Sequence, residues 1–263
     1  MFGWFKKKKS SGAAQQRVAP PLLRPQGVLG EEVLRKALHR PCAPLIFDKP
    51  ANIDPFETMF GAVRLAYKDE PWPEYSGVPM WPLCQINLKA APMVPKALRD
   101  LALITIFIAP ETSHTPTRII NAADPEVDAT WALRSYPSLK GLTIPRVNGD
   151  RSPLSPRLGE WSSTAPDYAN HDTAGAVVDT QVNDVYAYDW AHGVYQTKLG
   201  GWPSTTQSEP WWDYTKTDHT WDYALQIANE PQAGWQGWGD NGSAFLARSR
   251  ENPHLWAIEV QGI

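Results

Sequence analysis

The chain has 263 residues, enough for one large domain or two fused lobes with a buried core that needs no covalent staples. Its net charge is only −3, but residues 1–120 carry 16 Lys+Arg against 10 Asp+Glu, whereas residues 121–263 carry 9 against 18. This acidic C-terminal part argues against a nucleic-acid partner, which needs clustered cations to displace counterions from phosphates, and suits a basic protein better.

Two cysteines, Cys42 and Cys84, are too few for a disulfide framework or a zinc cage. The start, Met1-Phe2-Gly3-Trp4-Phe5 ahead of four lysines (residues 6–9), lacks the apolar core of a secretory signal, and no stretch approaches the roughly 18 apolar residues of a membrane span. A cytoplasmic protein without stable membrane insertion is expected, with at most weak surface contact by the N-terminal tip.

Residues 1–29 read as a flexible, basic, Pro-rich tail. Residues 31–40 begin acidic, end basic and place Val33, Leu34, Ala37 and Leu38 on one face, which predicts a short helix stopped by Pro41. Residues 44–47 are a brief strand expectation, residues 83–88 a second, and the all-apolar run 101–108 a strand covered on both faces. Residues 111–175 are punctuated by Pro145, Pro153, Pro156 and Pro166 and predict loops with short strands such as 131–134. Residues 179–195 carry Val182, Val185, Tyr186 and Trp190 at helical spacing before Gly193, predicting a helix. A turn at 200–203 then precedes strands at 221–228, 244–247 and 255–260.

Several landmarks recur at a near-constant offset of about 140 residues. Gly61 pairs with Gly201, Trp72 with Trp212, Trp81 with Trp221, Gln85-Ile86 with Gln226-Ile227, and Phe107 with Phe245 after a small deletion. The expected fold is α+β with mainly antiparallel sheets and an internal duplication. Residues 30–263 would be a single domain, its two repeat halves (about 55–110 and 195–260) joined by a Pro-rich acidic insert. Gln85 and Gln226 each interrupt an apolar strand, and an unpaired buried amide costs roughly 1–3 kcal/mol, so both are expected to bridge backbone groups as structural polar residues.

With Phe60-Gly61, Trp72-Pro73, Leu83-Cys84-Gln85-Ile86-Asn87, Leu199-Gly200-Gly201-Trp202-Pro203, Leu225-Gln226-Ile227 and Trp238-Gly239-Asp240-Asn241-Gly242 in view, the chain resembles the YwqG-like family of uncharacterised bacterial proteins. The resemblance covers roughly residues 55–110 and 195–260. It departs at Ala62, where the family usually has a second glycine, and in an enlarged segment 111–198. It implies the duplicated antiparallel fold and no agreed activity; some relatives lie among toxin and immunity genes, which suggests protein binding.

Thirteen tryptophans are present, six of them within 202–238. Trp202, Trp211, Trp212, Trp235 and Trp238, with Asp240, are the candidate binding residues, because flat apolar rings beside carboxylates and amides suit a protein hot spot or a sugar. Trp221 and Trp256 lie on strands and read as core. Asp240 in Asp-Asn-Gly is first a turn residue, with Gly242 expected to take positive φ. No two histidines stand at metal spacing, and there is no nucleophile elbow, P-loop or dinucleotide fingerprint, so no metal, cofactor or catalytic residue is assigned. The expectation is a non-catalytic protein-binding module, in its specific form a toxin-neutralising immunity protein. The alternatives are a carbohydrate or small-molecule binder using loop tryptophans, and a hydrolase with paired carboxylates.

Overall fold

The computed structural model describes residues 30–52, 54–110, 119–124, 129–145, 152–169, 190, 192–214 and 217–262. The tail 1–29 lies outside these residues, as does the helix expected over 179–195 apart from residues 190 and 192–195, which are turn and coil.

Helix α1 (Glu31–Leu38) has Glu31 and Glu32 in its first turn, Arg35 and Lys36 in its last, and buries Leu34 and Leu38. It stops two residues before Arg40 because His39 and Arg40 already pair with Tyr168 and Asp167 in a sheet. The strands are β1 (His39–Pro50), β2 (Met59–Phe60), β3 (Ala66–Tyr67), β4 (Glu74–Tyr75), β5 (Val78–Pro79), β6 (Trp81–Asn87), β7 (Leu103–Ile108), β8 (Ile119–Asn121) and β9 (Trp131–Tyr136). They continue as β10 (Leu142–Thr143), β11 (Arg157–Trp161), β12 (Ala165–Tyr168), β13 (Lys198–Gly200), β14 (Trp221–Ala228), β15 (Ser243–Ser249) and β16 (Leu255–Gln261).

Twelve of these form one sheet in the order β8-β16-β15-β14-β13-β1-β11-β2-β6-β7-β9, with β12 also on β1. Every described pairing is antiparallel, and β8 comes close to β9, so the sheet nearly closes on itself. The run expected to be covered on both faces is β7, all six of whose residues are buried between β6 and β9.

At the centre lies β1, twelve residues long where sequence predicts four. Its residues 39–42 pair with β12, 42–44 with β13 and 45–50 with β11. Proline normally argues against a central strand because it cannot donate to the ladder. Here Pro41 and Pro44 still accept, from Gly201 N–H at 3.1 Å and Ser162 N–H at 2.9 Å.

Two wings flank the β1–β11 centre, β2-β6-β7-β9 on one side and β13-β14-β15-β16 on the other. Met59 and Phe60 pair with Gln85 and Cys84 as Lys198 and Leu199 pair with Gln226 and Leu225. Thr58 O accepts Gly159 N–H and Thr197 O accepts Leu45 N–H, both at 2.8 Å. Both β6 and β14 carry a register irregularity just before their glutamine. Trp131-Ala132-Leu133 lies against Ile108, Phe107 and Ile106, and Trp256-Ala257-Ile258 against Arg248, Ala247 and Leu246. By these ladders Gly61 corresponds to Gly200, not Gly201, and Phe107 to Ala247, not Phe245. The ladders also add a Trp-Ala correspondence, residues 131–132 with 256–257, that the offset of 140 did not reveal.

The inner face is filled by aromatic and aliphatic side chains, including Phe47, Phe60, Trp131, Trp238 and Trp256. Arg248 ties the wings together: its guanidinium holds the Asp100 carboxylate at 2.5 and 2.9 Å and the Ala97 carbonyl at 2.7 Å. The outer edge of β16 beyond β8 is covered by the loop after β13. Trp211 Nε1 donates to Ile258 O at 3.0 Å, and Gln261 Oε1 accepts Thr206 and Gln207 N–H. No helix among the described residues is long and apolar enough to cross a membrane.

Candidate functional site

The five tryptophans singled out as contact residues are 3–7 % exposed. Trp202 lies under the Arg40 guanidinium, 3.2 Å from its ring centre, and donates Nε1–H to Leu38 O at 2.7 Å. Trp211 and Trp212 pack with Phe245 and Ala247 on the outer face of β15. Trp235 meets Trp238 edge-on at 4.8 Å, and Trp238 stacks on Trp131 at 5.3 Å, so the loop 233–242 folds inward onto β9. A ring can serve as a stacking platform only where its face is open, and these faces are taken by other side chains. Of the two strand tryptophans, Trp256 is buried and Trp221 half-buried.

Asp240 is exposed at the tip of the 239–242 turn, closed by Gly242 N–H to Gly239 O at 3.2 Å. The left-handed residues are Gly239 (φ +80°) and Asn241 (φ +51°), not Gly242. Gly242 is required for a different reason: a Cβ there would collide with the backbone of Trp238.

Gln85 and Gln226 are fully buried. Gln85 Oε1 accepts the N–H groups of Arg64 and Leu65 at 2.9 and 3.0 Å, and its Nε2 donates to Pro55 O and Glu57 O, both at 2.8 Å. Gln226 Oε1 accepts Ser204 N–H at 3.0 Å, and its Nε2 donates to Tyr195 O and Gln196 O at 3.0 and 3.2 Å. Each amide therefore fastens the loops on both sides of a short strand, β2 or β13.

A charged cluster not anticipated from sequence lies beside Gln226. Lys198 Nζ donates to Asp167 Oδ2 at 2.7 Å and to Ser204 Oγ at 2.9 Å, with both charged side chains wholly buried. Asp167 also accepts Trp202 and Val194 N–H, each at 2.7 Å, and Ser204 Oγ donates to Val194 O. Burial pulls the Lys198 ammonium pKa below its ordinary value against the opposing pull of Asp167. Burial also pushes the Cys42 thiol up to about 11, Asp167 adding to the effect. Gly201 (φ +72°) makes room for the carboxylate, since a Cβ there would strike Asp167. A serine hydroxyl within reach of a lysine can become a nucleophile if the amine is neutral. Here the ammonium is held by a carboxylate and Ser204 is itself buried, so the trio acts as a structural tie. Its three main members are 31 and 6 residues apart in sequence, with no local pattern to announce them.

A second constellation joins Ser249 Oγ to His219 Nδ1 at 3.3 Å and to Glu251 Oε2 at 3.2 Å. Glu251 reaches the same ring nitrogen at 3.9 Å, so it does not orient the imidazole from the far side as a relay requires. Its carboxylate instead accepts Thr220 N–H at 2.8 Å, which lowers its pKa to about 2. Among the described residues no group of three His, Cys, Asp or Glu is placed to hold a metal ion.

Residues 59–251 match the family Domain of unknown function (DUF1963). The chain belongs to this family. The DUF1963 match runs through the Pro-rich middle of the chain, so β8 to β12 lie inside the family domain. It leaves out β1 and β16, although both belong to the same sheet of this DUF1963 protein. No curated protein matches the chain.

Proposed function

We propose that this DUF1963 protein is a non-catalytic protein-binding module whose acidic C-terminal face receives a basic partner. Within a YwqG-like, bacterial and cytoplasmic setting, the specific form of this reading is neutralisation of a toxin as an immunity protein. The observation that carries the reading is the fate of the charges. Lys198 and Arg248 are taken up by Asp167 and Asp100, and Arg250 pairs with Asp222. Asp213, Asp218, Asp240 and Glu251 stay exposed. A field of one sign steers an oppositely charged protein and is screened by salt. Against the carbohydrate-binding alternative, the tryptophans that would stack on a sugar are buried.

Titration calorimetry with the product of the adjacent gene, beside an unrelated basic protein, tests this. Saturable binding to the former alone is expected, weakened about tenfold or more by raising salt from 50 to 300 mM or by Asp218→Lys with Asp240→Lys. No binding at low salt overturns it.

We also infer that the two wings arose by internal duplication. Support comes from the glutamine hydrogen bonds and from Thr58 Oγ1 accepting Asn87 N–H and Thr197 Oγ1 accepting Ala228 N–H, both at 3.0 Å.

A further inference from the structure

Glu230 follows β14 and opens the segment that carries Trp235 and Trp238. Its backbone closes that segment on itself: Glu230 N–H donates to Trp235 O at 2.9 Å, and Glu230 O accepts Ala233 and Trp235 N–H at 2.9 and 3.0 Å. Its side chain points inward, where one carboxyl oxygen accepts the hydroxyl of Thr197, the residue before β13, at 2.8 Å. The titratable groups facing it are Asp48 on β1 and Cys84 on β6, neither of which offers a positive charge. Arg157 on β11 donates instead to the Gln232 carbonyl at 2.7 Å. Among the described residues no cation pairs with Glu230.

We propose that Glu230 is a protonation-controlled latch on the loop 231–242. As a neutral acid it lets the loop lie closed with Trp235 and Trp238 against Trp131, and as a carboxylate facing Asp48 without a counter-charge it releases the loop. Burial is the main cause that lifts this carboxyl from 4.5 to about 7, with Asp48 pushing the same way and the Thr197 hydroxyl pulling back. Because the folded-state value is raised for an acid, the closed state binds the proton more tightly than the open one. Its advantage is therefore full below about 4.5 and fades as pH rises through 7.

The test uses the full chain, following tryptophan emission and acrylamide quenching from pH 5 to 8.5. A red shift with increased quenching is expected to develop as pH rises from 5 and to level off above about 7. Glu230→Gln should hold the emission at its low-pH position throughout. Thr197→Val removes a donor that favours the carboxylate and should move the midpoint upward, which a merely structural role for Glu230 would not do. Emission that is flat in the wild type, a transition that survives Glu230→Gln, or a midpoint unmoved by Thr197→Val would each overturn the latch.

Discussion

The two wings hold their glutamines alike but fill the space beside them differently. In the first wing the position next to Gln85 across the ladder is Met59; in the second, the position next to Gln226 is Lys198. Ala62 stands outside the left-handed region where Gly201 is inside it, and Pro82 occupies the place of Tyr223. The frame therefore closes over apolar side chains as well as over a buried ion pair, and the charges of the second wing are not what the sheet requires. What they add is attachment: Asp167 draws β12, β13 and the residues around Val194 and Trp202 onto one carboxylate.

The largest test of this difference is Asp167→Ala. It strands the Lys198 ammonium in the interior and leaves two N–H groups unpaired, at a cost of about 3–5 kcal/mol by urea denaturation. Adding Lys198→Met, which copies Met59, should recover at least about 2 kcal/mol; a double variant no more stable than the single one breaks the comparison. Next come the glutamines, where the wings should behave alike. Gln85→Leu and Gln226→Leu each orphan three or more buried backbone groups and should cost about 2–4 kcal/mol, Gln85 somewhat more because it holds four. A loss below about 0.5 kcal/mol in either would show that its amide is dispensable. The smallest effect separates the wings again: Gly201→Ala should lower stability by about 2 kcal/mol through its left-handed backbone and the clash with Asp167, while Ala62→Gly should cost only about 0.5–1 kcal/mol.

The strands β6, β7, β14, β15 and β16 were legible in the chain because long apolar or alternating runs leave few options. β1 was legible only over residues 44–47, since Pro41, Pro44 and Pro50 disguise the rest of a strand whose partners change along its length. The repeated glutamines were visible as polar residues in apolar strands, while the Trp-Ala pairs at 131 and 256 were hidden by a different offset. Tryptophan density pointed to the right loop but to the wrong side of it: local sequence gives composition, whereas the inward turn of Trp235 and Trp238 depends on Trp131, about a hundred residues away. The Lys198–Asp167 pair and the raised Glu230 belong to the same class of feature, made by strands that only the finished sheet brings together.

The central place of β1 has a consequence for how the protein is made. Among the described strands it leaves the ribosome first, yet its partners β11 and β13 follow only after more than a hundred further residues. Non-local pairing of this kind delays folding, because a long loop must be closed before any contact rewards it. During synthesis β1 waits with both edges bare, and its three prolines, poor at joining a foreign strand, suit it to that wait.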